Sequence, residues 1–135
     1  MSYYMKSLIL FLVLASVFEG GKTEIKSRSK VTVQIVNGLS ENQLLTFHCQ
    51  SKDDDLGTHI MKNSAVYSFS FFPRIIGKTL FYCNFWWPTN FSSVHHFDIY
   101  DQYRDRCVAC IWHISESGPC LENDGSGKKL CLPFT

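Results

Sequence analysis

The chain has 135 residues, with 13 Lys and Arg against 12 Asp and Glu, and a net charge of +1. So even a balance leaves no electrostatic footprint for nucleic acid. The one long apolar run, Leu8–Phe18, is too short to cross a bilayer as a helix, which argues against stable membrane insertion.

In chain order, Met1–Lys6 carries a single cation, the apolar run comes next, and small residues come after it. This is the pattern of a secretory leader, expected over 1–21 with cleavage between Ser16 and Thr23. Residues 22–30 carry Lys22, Lys26, Arg28 and Lys30 against Glu24 and read as a basic, solvated tail. Residues 31–135 are of single-domain size.

Within that domain the hydrophobic period is two. VTVQIV (31–36) alternates Val31, Val33 and Ile35 with polar residues and stops at Asn37-Gly38, a strong turn signal. LLTFHCQ (44–50), AVYSFSFF (65–72), TLFYCNFW (79–86), HFDIYD (96–101) and CVACIWHIS (107–115) come after it, with a short KLCLPF at the end. Aromatic and β-branched residues dominate these runs. Turn residues separate them, and no helical period is visible. The expected fold is all-β: an antiparallel β-sandwich of about seven to eight short strands, stabilised by disulfides.

Six cysteines, Cys49, Cys83, Cys107, Cys110, Cys120 and Cys131, form an even set in a small secreted chain, the mark of a disulfide framework. The sequence itself does not choose their pairing. Alternation turns Cys49, Cys83 and Cys110 inward with Phe47, Phe81, Phe85, Trp112 and Ile114, where cysteines on separate strands can bridge two packed sheets. Cys107-Val-Ala-Cys110 has the spacing of a redox pair but runs into a strand, not a helix N-terminus. As half a zinc site it lacks a second close pair.

HCQSKDDDLGTH (48–59) has the ingredients of a metal or acid–base site. An ion-binding loop starting at Asp53 fails at Gly57, Thr58 and Ser64. The expected structure is an acidic turn whose carboxylates bond nearby backbone N–H groups, with Gly57 at positive φ. His48 and His113 are the residues a small secreted ribonuclease would use as acid and base, yet both alternate outward. His95 and His96 are adjacent on an extended chain and face opposite ways. Of Trp86 and Trp87, one is expected in the core and one on the surface. Asn90-Phe91-Ser92 is a glycosylation sequon.

VTVQIVNGL, LLTFHCQSKDDDLGTH, TLFYCNFWW, FDIYDQYRDRCVACIWHI and SGPC, in this order, resemble the plant self-incompatibility proteins, or S-protein homologues, over about residues 30–125. The resemblance implies a small secreted plant β-sandwich protein without enzymatic activity. Some members act as pistil ligands recognised by a receptor on pollen. Cys49, Cys83, Cys110 and Cys120 match the cysteines common to that family, and Cys107 and Cys131 are expected to pair with each other. The resemblance thus implies a secreted, extracellular signalling ligand, with self-incompatibility (pistil–pollen recognition) as one form of that role and a cell-surface receptor protein as partner; a monomer is expected. No catalytic residue, cofactor or metal is expected. The alternatives are a ribonuclease-like enzyme using His48 and His113, or a membrane-active defence protein. Loops carry recognition, so WPTNFSSVHH (87–96) and ESGPCLENDGSG (116–127) are the expected contact surfaces.

Overall fold

The computed structural model describes residues 29–90, 92–123 and 126–135. The expected leader and residues 22–28 of the basic tail lie outside them. The described residues hold nine strands and one 3₁₀ turn: β1 Val31–Asn37, β2 Leu45–Gln50, β3 Asp55–Met61, β4 Val66–Phe71, β5 Leu80–Trp86, the turn Pro88–Asn90, β6 His95–Asp101, β7 Ala109–Ser115, β8 Gly118–Leu121 and β9 Leu130–Cys131. They form a five-stranded sheet, β4-β1-β7-β8-β9, and a four-stranded sheet, β3-β2-β5-β6.

The alternation legible in the sequence sets which face is buried. Along β1, Val31, Val33, Ile35 and Asn37 are buried, and their neighbours are half-exposed. Phe47 and Cys49 of β2, Phe81, Cys83 and Phe85 of β5, and Cys110, Trp112 and Ile114 of β7 obey the same rule. Aromatic rings meet between the sheets: Phe47 with Tyr67 at 5.3 Å, Phe71 with Tyr100 at 4.8 Å and Phe97 with Trp112 at 4.9 Å, all three edge to face. Such pairs add about 0.5–1.5 kcal/mol each beyond the area they bury. One pairing departs from the antiparallel pattern. β1 and β7 lie side by side in parallel, Thr32 opposite Ala109 through Asn37 opposite Ile114. All four strands of the second sheet lie between them in the chain, which gives the parallel pair the long crossover it needs.

Two strands were hidden in the sequence. β3 runs through the acidic stretch and is interrupted by Gly57 at φ 78°. β8 runs through Gly118-Pro119, which reads as a turn. Pro119 still takes part in the β8–β9 ladder through its carbonyl, which accepts the N–H of Leu132 (2.9 Å). Gly118 is required: a Cβ at that position would sit 2.3 Å from the Leu132 carbonyl oxygen, at φ +138°. The chain then carries Phe134 against Trp87 and His95, and the amide of Thr135 donates to the carbonyl of His96 (2.8 Å).

All six cysteines are bridged, but not as expected. The bonds are Cys49–Cys83, Cys107–Cys110 and Cys120–Cys131. Cys131 lies directly opposite Cys120 in the β8–β9 ladder, with Cα atoms 4.0 Å apart, so it cannot serve Cys107. Cys49 faces Cys83 on the neighbouring strand of its own sheet, again at 4.0 Å. Two bridges therefore each reinforce one sheet internally, the third closes the bend before β7, and none links one sheet to the other. From the loop lengths of 34, 11 and 3 residues, chain entropy assigns them about 3.8, 2.8 and 1.6 kcal/mol respectively.

The buried polar side chain at the end of β1 ties the sheets together. Asn37 Nδ2 donates to the carbonyls of Gln43 (2.8 Å) and Met61 (3.0 Å), and its Oδ1 accepts the amide of Leu39 (3.0 Å). Met61 ends a strand of the opposite sheet. Asn37→Asp keeps the shape but replaces two donated bonds with a carboxylate facing two carbonyls. We expect it to lower unfolding free energy at pH 7 by about 3–4 kcal/mol, read from the urea midpoint at constant slope.

Candidate functional site

The loops gather at the two ends of the sandwich, and the ends differ. At one end lie the β1–β2, β3–β4, β5–β6 and β7–β8 connections. They are fastened by polar bonds: Glu116 accepts from the amide (2.7 Å) and hydroxyl (2.8 Å) of Ser40, and Gln43 Oε1 accepts from the Thr89 hydroxyl (2.8 Å). Burial acts to raise the Glu116 pKa, but the bonds from Ser40 outweigh it and hold it low. The sequon residue Asn90 is here, its Nδ2 3.2 Å from His95 Nε2.

At the other end the β2–β3 turn faces the β4–β5 loop across an open cleft of about 470 Å³ floored by Phe81 and Tyr82. Asp53 and Asp54 of the DDD run line the cleft, and the Asp53 and Asp55 carboxylates turn to different partners, as the failed ion-loop pattern implies. Ser51 Oγ caps the turn by accepting the Asp54 amide (3.1 Å). Asp53 pairs with Arg74 across the cleft. Asp55 turns back to accept the Gly57 amide (2.9 Å) and lies 2.6 Å from His48 Nε2. The Gly57 bond, seconded by the one from His48, holds the Asp55 carboxyl below its ordinary range.

The β4–β5 loop is pinned at both shoulders. Its Arg74 amide donates to Thr79 Oγ1 (2.8 Å), and the Arg74 carbonyl accepts from Gln102 Nε2 (3.0 Å). Gln102 Oε1 accepts the Thr79 amide (2.7 Å), and Lys78 lies 3.0 Å from Asp101. Between these pins Ile75 and Ile76 point into solvent, 72% and 88% exposed; Phe72, just before the loop, and Tyr103, whose ring lies 5.4 Å from Lys78 Nζ, are exposed as well. Scattered apolar residues on a surface are ordinary, but clustered ones mark interaction sites.

The fold separates the residues that the sequence singles out. His48 and His113 project from the outer faces of different sheets, His48 to Asp55 and His113 toward Glu122 at 3.8 Å. The two histidines of the ribonuclease reading therefore stand on opposite faces of the sandwich. His95 stacks on Trp87 at 4.0 Å, while His96 faces outward to Asn84 and Asp98. Burial lowers the His95 pKa. Trp87 is in the core and Trp86 is half-buried on the outer face. Each expected contact window is thus partly interior: Trp87 in the first, and Gly118, Pro119 and Leu121 in the second. The Ile75-Ile76 tip was missed. Its signal was an apolar pair framed by Pro73, Arg74, Gly77 and Lys78, where turn chemistry predicts polar residues.

Asp101 anchors the pinned loop. Burial acts to raise its pKa, but Lys78 and the amides of Tyr103 and Arg104 outweigh that and hold it below 3.8. A depressed carboxyl contributes stability that is complete above its unfolded value and is lost as pH falls through the folded one. Asp101→Asn is therefore expected to lose roughly 1 kcal/mol near pH 7. The gap from the native chain should close as pH falls below 3.8, which urea titrations along a pH series would read.

Among known proteins, the family model described as "Plant self-incompatibility protein S1" matches residues 32–134. S-protein homolog 2 of Arabidopsis thaliana is 41% identical over 78% of this chain and 69% of its own length. S-protein homolog 3 of the same plant is 41% identical over 84% and 79%, and S-protein homolog 29 is 34% identical over 95% and 91%. No solved structure matches.

Proposed function

Because the chain belongs to the plant self-incompatibility protein S1 family, we propose that it works by binding, as an extracellular signalling ligand recognised by a receptor protein at a plant cell surface. Three disulfides suit an oxidising compartment, and the N-terminal reading suits secretion. The observation that carries the binding role is the Ile75-Ile76 tip, two large apolar side chains held out by pinned shoulders. An anchor already fixed in place loses little conformational freedom on docking. Aliphatic or aromatic anchors entering a pocket are what a central contact needs, and the flanking Arg74 and Lys78 supply a polar rim. The proposal places the contact at this end of the sandwich, apart from the two windows expected from the sequence.

The test is saturable binding of labelled protein to intact plant cells of candidate tissues. Ile75→Asp/Ile76→Asp should weaken binding by about tenfold or more while leaving the unfolding transition in place, because both side chains are already in water. Val94→Asp, at the other end and 56% exposed, should bind as the native chain does. Equal binding by all three proteins would reject the tip as the contact. Binding to protein-free vesicles that is lost with the tip would reject a receptor in favour of the bilayer.

A further inference from the structure

We propose that the free edge of β4 is a self-pairing edge, through which two copies of this chain join β4 to β4 in antiparallel fashion about a two-fold axis at Phe69. The backbone sets up the first part. In the β1–β4 ladder Val31 faces Phe71, Val33 faces Phe69 and Ile35 faces Tyr67. The Asn37 amide bonds toward the β4 side, to Ala65, while the Thr32 amide bonds to Val108 on the β7 side. Odd residues of β1 thus turn their polar groups toward β4 and even ones toward β7. By the same alternation Tyr67, Phe69 and Phe71 bond β1, and Val66, Ser68 and Ser70 turn N–H and C=O groups to the outer edge. Among the described residues no strand takes them up, since β4 ends its sheet.

The other edges are guarded and this one is not. β6 receives the C-terminal segment, whose Thr135 amide and hydroxyl both bond the His96 carbonyl (2.8 and 3.2 Å). β3 is broken by a register shift and by Gly57 at positive φ, and it opens with Asp55. β9 has two residues. β4 has six, pairs with β1 without a shift, and contains no charge, Pro or Gly. Charges, prolines and bulges are what protect an edge from a second chain.

The outer face supplies the complementarity. Val66 and Phe72 are 53% and 57% exposed, with Ser68 and Ser70 between them. An antiparallel pairing that sets Ser68 opposite Ser70 of the second copy sets Val66 opposite its Phe72, and the reverse. On the inner face Phe69 meets its counterpart and Tyr67 meets Phe71. Moving the register by two residues leaves an apolar side chain facing a serine. A single ladder of this length falls at the small end of interfaces, so the dimer should form with a Kd on the order of micromolar. The proposal stands against the monomer expected from the sequence.

Sedimentation of the secreted, disulfide-intact chain between about 1 and about 500 μM tests it. The native chain should pass from monomer to dimer. Ser68→Lys and Ser70→Glu, both on the outer face, should each raise the dimer Kd about tenfold or more; Ser68→Lys should keep the native unfolding midpoint, and Ser70→Glu, which gives up the Ser70–Thr32 hydroxyl bond (2.8 Å), should lower it slightly and stay folded. Mixed together, the two variants should form a heterodimer at least as readily as the native homodimer, because only this register sets the new opposite charges face to face. A native chain that stays monomeric throughout overturns the proposal, as does a dimer indifferent to Ser68→Lys. Failure of the two folded variants to associate on mixing overturns the register. A monomeric native chain whose cell binding is lost in Ser68→Lys would assign the edge to a strand of the receptor, and self-pairing would again be overturned.

Discussion

The carboxamide of Asn37 is the point on which the two-sheet arrangement turns. It ends the central strand β1, holds the carbonyl at the end of β3 in the opposite sheet and folds the β1–β2 connection back through Gln43 and Leu39. Its own backbone closes the β3–β4 turn, accepting from Ser64 (2.9 Å) and donating to Ala65 (3.2 Å). A side chain with both a donor pair and an acceptor is needed, because the site presents two carbonyls and one amide in a place water does not reach. That fixed corner ties β1 to the opposite sheet and holds the β1–β2 and β3–β4 connections together at one end.

The disulfides play a different part from the one their inward direction suggests. Two of them link neighbouring strands within one sheet and the third closes a bend before β7. The sheets themselves are held face to face by rings and by Arg104. That guanidinium makes a forked pair with the buried Asp105 (2.8 and 2.9 Å), bonds the Asp98 carbonyl (2.7 Å) and lies over the rings of Phe97 and Trp112. It closes the core between β6 and β7 with a cation whose Nε and Nη2 are hydrogen-bonded to carboxylate and carbonyl and whose plane lies over aromatic rings. Rigid sheets held in this way can support loops with little internal packing, which is the condition the exposed β4–β5 tip requires.

Much of this was legible in the sequence, because a period of two is unambiguous where one face is buried. β1, β2, β4, β5, β6 and β7 stand within two residues of the runs read from alternation. β3 was not legible because its inward positions are interrupted by Gly57 and its start is acidic, so it looks like the turn that precedes it. β8 was obscured by Gly118-Pro119, whose ladder bond is made to the distant Leu132. The cysteine pairing escaped for a related reason: the register of β8 against β9 is a tertiary fact that spacing does not contain. His48 and Cys49 show the success and its limit. Alternation sent one outward and one inward correctly, but it did not reveal that Asp55 folds back onto His48. Nor did it show that Ile75 and Ile76 are held out, since that depends on Gln102 and Asp101, more than twenty residues further along the chain.

The acidic motif that looked most like chemistry is instead part of the frame around an exposed apolar tip, the end proposed above for recognition. Asp53 holds Arg74, Asp101 holds Lys78, and between them stands the apolar tip. The measurement that bears most directly on that claim is photo-crosslinking from single positions on living plant cells that respond to the protein. A photoreactive residue at position 76 should join a membrane protein, and excess native chain should suppress the product. The same group at position 89, on the opposite end, should give none. A specific product from position 89 with none from position 76 would contradict the account.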